Sequence, residues 1–430
     1  MVRPHSPPPT GLPARQAAVM LMRGVLEEKE QLSTLLGAGL LDRLEPADRA
    51  RAQRLAVTTL RELGRADTVI SQFVDKMPPA KAINVLRLAV VELCVEGAAA
   101  HGVVDSAVNL MKRSGNSPRM AGLANAVLRK VATEGPQMWP DLPPSKLPKW
   151  LRPRIVHLLD EEQTQAIEAA HQAGAPLDLT LRDEAKTTEW AGRLGAEVLP
   201  TGSLRIARNV QVSELDGYEE GAWWVQDAAA AIAAQMLGAS KGERVLDMCA
   251  APGGKTMQLA ATGAEVVALD VSSERMARVE QNLSRTGMVA DLVIEDALNF
   301  DAPPFDAILL DAPCSATGTI RRHPDLPFVK NGSAMAELCA LQSDMIDAAV
   351  SLLKPGGRLV YCTCSLLFDE GERQAKTAME RHGLVEIETR PTGVPSEWRS
   401  RVGGLRITPN LWPERGGLDG FFMIALRKPE

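Results

Sequence analysis

From Trp223 onward, short apolar runs alternate with helical ones: RVLDMC then KTMQLAAT, EVVALD then SERMARVEQNLSRTG, DLVIED, and FDAILLDAP. A helix around AELCALQSDMIDAAVSLLK, a strand GRLVYCTC and a final helix beginning at FDEGERQAKTAME complete the series. This alternation predicts a parallel sheet covered by helices on both faces, a Rossmann-like α/β domain over 223–430. Ligands in such sheets bind outside the carboxyl ends of the strands, so the residues just after each strand are the candidates for chemistry.

The preceding half reads differently. A chain of 430 residues is too long for one ordinary core, so further domains are expected. Residues 12–135 read as an all-α domain. RQAAVMLMRGVLEE, ADRARAQRLAVTTLRELGRADTVISQFV and AKAINVLRLAVVELCVEG carry apolar residues three and four apart. Pro78–Pro79 and a turn at Gly115–Pro118 punctuate these helices. Before them, residues 1–11 form a Pro-rich tail, expected to be disordered and lacking the apolar core of a signal peptide. After them, PQMWPDLPPSKLPKW reads as a linker over 136–150. A small α/β subdomain follows over 151–222, with a helix from His157 to Ala173 and short strands in LDLTLR and GAEVLP.

Charge and cysteine content narrow the setting. No apolar run reaches 18 residues, so no transmembrane helix is expected and the chain reads as cytoplasmic. Six cysteines without a CxxC pair argue against a secreted disulfide framework. The net charge of −6 hides an asymmetry, because residues 1–140 carry 18 basic and 13 acidic side chains. Within them, Lys112, Arg113, Arg119, Arg129 and Lys130 occur between Val108 and Lys130 with no acidic residue. Such a run is either a solvated helix face or a phosphate-binding surface.

The strand RVLD leads into MCAAPGGKT, a Gly-rich turn opening a helix. Side chains at Gly253 or Gly254 would obstruct a ligand approaching the backbone. A phosphate-binding Walker loop ending at Lys255–Thr256 would need glycine at position 249, which is Cys249, and the dinucleotide fingerprint is absent too. Strand EVVALD ends in Asp270, whose carboxylate suits the two hydroxyls of a ribose. Asp296 follows DLVIED, where it could accept from an adenine amino group. A nucleoside cofactor without a pyrophosphate fits these features best.

DMCAAPGGKT resembles the cofactor loop of the Nop2/Sun family of RNA 5-methylcytosine methyltransferases. The resemblance implies that Cys249, Ala250, Ala251, Pro252, Gly253, Gly254 and Lys255 wrap S-adenosylmethionine. It places Asp270 on the ribose, Asp296 on the adenine, and Asp311 beside cofactor and base.

Two further strand ends carry cysteines, in DAPCSATG (Asp311–Gly318) and YCTCS (Tyr361–Ser365). Carbon 5 of cytosine is not nucleophilic enough to take a methyl group unless a thiolate first adds to carbon 6. A free thiol, with a pKa of about 8.5, is only a small part thiolate at neutral pH, so help is expected from Lys255 or from the sulfonium charge. The alternatives are two small buried hydrophobes or half of a zinc site; zinc needs four ligands and only His323 lies nearby in sequence, so no metal is expected. Position alone leaves open which cysteine attacks. The resemblance implies Cys364 as nucleophile and Cys314 as the cysteine that assists release. WVQDAAA (Trp224–Ala230) and DGFFMIAL (Asp419–Leu426) also match the family.

VLRLAV, AVNLMK and GLANAVLRK resemble the NusB-type RNA-binding domain found in the bacterial Sun/Fmu branch. That branch implies a monomeric enzyme methylating a cytosine of small-subunit (16S) ribosomal RNA. Transfer RNA, large-subunit RNA, or a non-catalytic RNA-binding role are the alternatives. Two departures are visible: Ala316 where the family more usually has glycine, and Thr180–Arg182 where an R-V-N-like run is common.

Overall fold

The computed structural model describes residues 11–113, 118–206 and 210–430. Most of the Pro-rich tail and of the turn expected at Gly115–Pro118 lies outside them. The chain divides into two compact units.

The first unit gathers residues up to 156 with 161–172 and 320–331. Its helices are α1 (Leu12–Arg23), α2 (Leu32–Gly37), α3 (Pro46–Arg61), α4 (Leu63–Ser71), α5 (Ala80–Cys94), α6 (Ala100–Arg113) and α7 (Pro118–Met138), then α8 (Arg152–Leu158) and α9 (Glu161–Ala173). The three- and four-residue spacings turn one face of each helix inward; on α6 the buried positions are Val103, Ser106, Ala107, Leu110 and Met111. α5 is the central helix, and Glu92 on it accepts from Arg15 at 2.7–3.0 Å. The long run expected as one helix from Ala47 to Val74 breaks at Glu62, whose buried carboxylate accepts from Arg65 at 3.1 Å. Pro136 does not end α7, which continues to Met138. Trp139 then packs in the helical core under the Arg65 guanidinium, 4.4 Å from its ring, so this end of the expected linker is packed. Leu147 is anchored too, its N–H donating to Glu168 at 2.8 Å. Residues 320–331, which follow the first cysteine loop in sequence, fold with the helices: Phe328 and Val329 pack on the α1–α3 core, and Asp325 accepts from the Leu32 N–H at 2.9 Å.

The second unit begins with a small antiparallel sheet. Its strands are β1 (Leu177–Leu181), β2 (Glu197–Val198), β3 (Leu204–Ile206) and β4 (Trp223–Val225), ordered β2-β3-β1-β4, with α10 (Thr187–Leu194) against them. Leu179, Leu181, Trp190, Leu204 and Trp223 form its core. β4 thus pairs with this sheet, although its residues read in sequence as the opening of the larger domain.

The larger sheet follows α11 (Ala228–Leu237). It comprises β5 (Arg244–Met248), β6 (Glu265–Asp270), β7 (Asp291–Ile294), β8 (Phe305–Asp311), β9 (Leu353–Thr363), β10 (Val385–Glu386), β11 (Leu405–Ile407) and β12 (Phe421–Arg427). Helices α12 (Gly254–Ala261), α13 (Ser273–Thr286), α14 (Met335–Ser351) and α15 (Glu372–His382) connect them. The order is β10-β12-β9-β8-β5-β6-β7, with β11 paired to β12. β5 to β9 are parallel as expected, but β12 runs antiparallel between β9 and β10. The order reverses between β5 and β8, where the connections leave on opposite sides and open a crevice at the carboxyl ends.

A buried charge pair in the small sheet also reaches the larger domain. Arg205 on β3 grips Asp178 on β1 through two bonds of 2.7 Å, both side chains almost wholly buried. Asp178 also accepts the Ala228 N–H at the start of α11, and Arg205 donates to the Arg415 and Gly417 carbonyls. Asp178→Ala would strand a buried guanidinium, and a loss of about 3–5 kcal/mol is expected in denaturant unfolding. An unchanged midpoint would show that the pair does not hold the sheets together.

Candidate active site

The switch point is lined first by the loop after β5. Cys249 adopts φ +65° and Gly253 φ +99°, both in the left-handed region. The turn is closed by the Gly253 N–H donating to the Ala250 carbonyl at 2.8 Å. A Cβ on Gly254 would lie 3.3 Å from the Gln226 amide, and one on Gly253 would lie 3.1 Å from Val279. The glycines therefore let the backbone thread between Gln226, just after β4, and Val279 on α13. Asp270, at the end of β6, is buried and ties its strand to the loop: it accepts the Ala251 N–H at 3.2 Å and the Ser272 N–H at 3.0 Å. Arg275 donates to the Ala251 carbonyl at 2.6 Å and lies 3.4 Å from Asp270. Asp296 lies two residues past β7, exposed, its carboxylate accepting the Leu298 N–H of its own turn at 3.0 Å.

Asp247, inside β5 and beneath the loop, was not singled out in the sequence reading. Its Oδ2 accepts from Thr256 Oγ1 at 2.6 Å, while Oδ1 is buried without a partner among the described residues. Burial pushes its pKa up to about 7, against the opposing effects of Thr256 and Lys255. A charged residue in an otherwise apolar parallel strand was the signal for it.

The catalytic candidates come from the ends of β8 and β9. Register pairs Asp311 with Cys362, so the two cysteine turns leave adjacent strands side by side. Cys314 Sγ and Cys364 Sγ stand 3.4 Å apart as free thiols. The Gly318 N–H donates to the Cys364 carbonyl at 3.0 Å, and the Gly318 carbonyl accepts from Gly420 at 2.8 Å. A Cβ on Gly318 would come within 1.9 Å of the Gly420 oxygen, so this turn and the DGFF segment require glycine where they meet. Ala316 sits at φ +56°. The left-handed geometry explains the family's preference for glycine there; alanine costs roughly 1–2 kcal/mol.

Lys255 reaches across from α12 to Asp311, Nζ to Oδ2 at 2.6 Å. Burial opposes its charge, but Asp311, with Cys362 and Asp247 nearby, pushes its pKa up overall. Expected as a possible aid to the thiolate, Lys255 is instead paired with Asp311 and fixes that carboxylate. Asp311 Oδ1 lies 3.6 Å from the buried Cys362 Sγ. The hydrogen bond with Cys364, reinforced by burial, drives the Cys314 thiol well up. Cys249 is also raised, by burial and then by the surrounding carboxylates. Among the described residues, no cluster of three or more His, Cys, Asp or Glu could hold a metal ion, and no helix is long and apolar enough to cross a membrane.

Comparison with known proteins agrees with this architecture. The family model "16S rRNA methyltransferase RsmB/F" matches residues 234–427, and the NusB family model matches 12–133. The ribosomal RNA small subunit methyltransferase B of Xanthomonas campestris is 32% identical, covering 97% of this chain and 98% of the relative. That of Pseudomonas putida is 34% identical, over 96% and 98%. The crystal structure of PH0851 superposes with a TM-score of 0.73 at 24% identity, covering 98% of this chain and 99% of its own, a likeness of fold. Sequence relatives spanning both units at this identity place the chain in the RsmB/F family of methyltransferases.

Proposed function

We propose that this protein methylates carbon 5 of a cytosine in small-subunit ribosomal RNA, with S-adenosylmethionine as methyl donor and Cys364 as nucleophile. The observation that carries the reading is the pair of thiols 3.4 Å apart at a sheet switch point, beside a Lys255–Asp311 pair. The relatives' names supply the RNA class.

The crevice fits the cofactor. Gly253 and Gly254 let the loop close against Val279 and Gln226, Asp270 presents a buried carboxylate for vicinal hydroxyls, and the solvent-facing Asp296 stands exposed to meet an adenine edge. When bound, S-adenosylmethionine supplies an electrophilic methyl group and a positive charge. Asp311, held by Lys255, accepts from the cytosine 4-amino group and orients the ring. The Cys364 thiolate adds to carbon 6, which gives carbon 5 enamine character. After carbon 5 is methylated, a water molecule takes its proton, and the electron pair of that C–H bond restores the C5–C6 double bond as the sulfur–carbon 6 bond breaks and releases the Cys364 thiolate. Cys314, whose sulfur lies 3.4 Å from that of Cys364, stands where it can assist this release. An unpaired cytosine suits such a site, because removing a base from a helix costs a few kcal/mol.

Four measurements check this reading. Asp270→Ala should weaken binding of S-adenosylmethionine and S-adenosylhomocysteine about ten- to a hundredfold by calorimetry; unchanged affinity would remove the ribose assignment.

Lys112, Arg113, Arg119, Arg129 and Lys130 are all exposed on α6 and α7. Neutralising two should lower the log–log salt slope of RNA binding by roughly 0.7–0.9 per lost contact. An unaltered slope returns them to a solvated face.

The cysteines separate by kinetics. Cys364→Ala should be inactive yet bind RNA reversibly, whereas Cys314→Ala should accumulate a covalent protein–RNA adduct that survives denaturing electrophoresis. Trapping by Cys364→Ala instead would reverse the roles. Bisulfite sequencing of free ribosomal RNA, assembled subunits and transfer RNA identifies the substrate.

A further inference from the structure

Beneath the two cysteine turns lies a carboxylate that the mechanism above does not use. Glu370, wholly buried, follows β9 in the short turn before α15. Its Oε1 accepts the Ser315 N–H at 2.8 Å and the Gln342 side-chain amide at 3.2 Å. Its Oε2 accepts the Ser315 hydroxyl and the Ser365 hydroxyl, each at 2.5 Å. Ser315 is the residue after Cys314 and Ser365 the residue after Cys364. One carboxylate thus holds the neighbour of each reactive sulfur, and all four bonds run toward it.

The surroundings tighten the same link. Gln342 on α14 also donates to the Pro313 carbonyl at 2.9 Å, on the other side of Cys314. Thr317 Oγ1 lies 3.3 Å from Ser365 Oγ and accepts the Leu366 N–H at 2.9 Å. Arg406, buried and paired with Glu372, donates to the Ser365 carbonyl at 2.5 Å. A buried carboxylate costs several kcal/mol to desolvate, and a core could fill this volume with an apolar side chain for less. Four charge-assisted bonds converging from two loops offset that cost, and what they fix is the separation of those loops.

We propose that Glu370 is a positioning residue that sets the distance and orientation of the Cys314–Cys364 pair and thereby the rate of the chemical step. The proposal rests on the two-cysteine reading of the site. Glu370 touches neither sulfur and acts through Ser315 and Ser365. Because an error of about 1 Å in a reacting group can cost a hundredfold, the effect belongs in kcat and not in binding. Ser315 and Ser365 differ in their attachments: Ser315 gives both N–H and hydroxyl, Ser365 its hydroxyl alone. To the Glu370 carboxylate itself, then, the Cys364 turn is joined by a single bond.

The full-length Glu370→Gln variant tests this with two readouts. In steady-state methylation of ribosomal RNA, kcat should fall about a hundredfold. KM for RNA and the calorimetric affinity for S-adenosylhomocysteine should stay within about twofold. Separately, diamide takes two electrons and the two thiol protons from the cysteines as the Sγ–Sγ bond forms, and is itself reduced to the hydrazine. Peptide mass mapping of the Cys314–Cys364 crosslink should show it forming about tenfold more slowly in the variant. The crosslink needs no RNA, so it judges Glu370 even where the carbon 5 reading fails. A folded variant with parental kcat and crosslinking rate overturns the proposal. So does a parallel fall in kcat and cofactor affinity, which marks a general structural role. If Glu370→Gln does not fold, Ser365→Ala, which removes one donor of four, carries the test: about a tenfold loss in kcat supports it, and parental values for kcat and crosslinking overturn it.

Discussion

Everything at the site depends on the parallel register of β8 and β9. Asp311 lies opposite Cys362, and the chain beyond each strand turns within three residues to deliver a cysteine. Side chains alternate faces along a strand, so a slip of one residue would send Cys362 and Cys364 to the other side of the sheet. Register is held by burial: Ile308, Leu310, Leu359 and Tyr361 face one core, while Ala307, Leu309, Val360 and Cys362 face the other. A sheet apolar on both faces has no solvated side on which a shifted strand could rest. The thiol pair is thus a consequence of core packing, and the antiparallel strand β12 reinforces it by clamping the carboxyl-terminal half of β9, from Phe422–Thr363 to Arg427–Arg358.

The same packing decides the electrostatics. Lys255 and Asp311 meet in a crevice where burial alone would discharge the lysine, yet their contact at 2.6 Å keeps the ammonium charged. Removing either partner would leave a charge in a poorly solvated place. A fixed ammonium does not need to touch a thiolate to be useful. By holding Asp311 it keeps an acceptor in place for the base, and it adds positive potential to a site otherwise crowded with Asp247, Asp270 and Asp311. Burial and then those carboxylates push the Cys249 thiol up, whereas Cys314 is raised by its hydrogen bond with Cys364 and by burial.

Much of this was legible in the chain itself, for identifiable reasons. β5 to β9 are dense apolar runs, with glycine, proline or aspartate at most of their exits, and that pattern specifies buried parallel strands. DMCAAPGGKT, DAPCS and YCTCS then fall at strand ends, and the fold brings their loops together. Less legible were features that depend on long-range partners. FFMIAL is apolar throughout and carries no sign of its direction, so the antiparallel insertion of β12 could not be read from it. Trp139 and the 320–331 segment look like connecting chain until their packing in the helical unit is known. Glu370 sits in FDEGER, which reads as the acidic first turn of a solvated helix. Only the convergence of Ser315, Gln342 and Ser365 from elsewhere in the chain distinguishes it from Asp369 beside it.

Strain collects where the ligands are expected to go. Cys249 and Ala316 hold left-handed backbone without being glycine, each at roughly 1–3 kcal/mol, and the Asp247 carboxyl is buried with one oxygen unpartnered. These features persist because the surroundings over-determine them. The Cys249 turn is pinned on one side by the Ala250 N–H to the Leu269 carbonyl and on the other by the Asp270–Ala251 bond. The Ala316 turn is pinned by Thr319 donating back to the Ala316 carbonyl and by Gly318 bonding to Cys364. Relaxing either turn would therefore break bonds that reach into β6 or β9, so the local gain is smaller than the loss. A Gly substitution at 316 removes the strain without touching those bonds, and the turn gains freedom in the unfolded chain at the same time. The two effects oppose one another, which is why alanine is tolerated at a position whose geometry favours glycine.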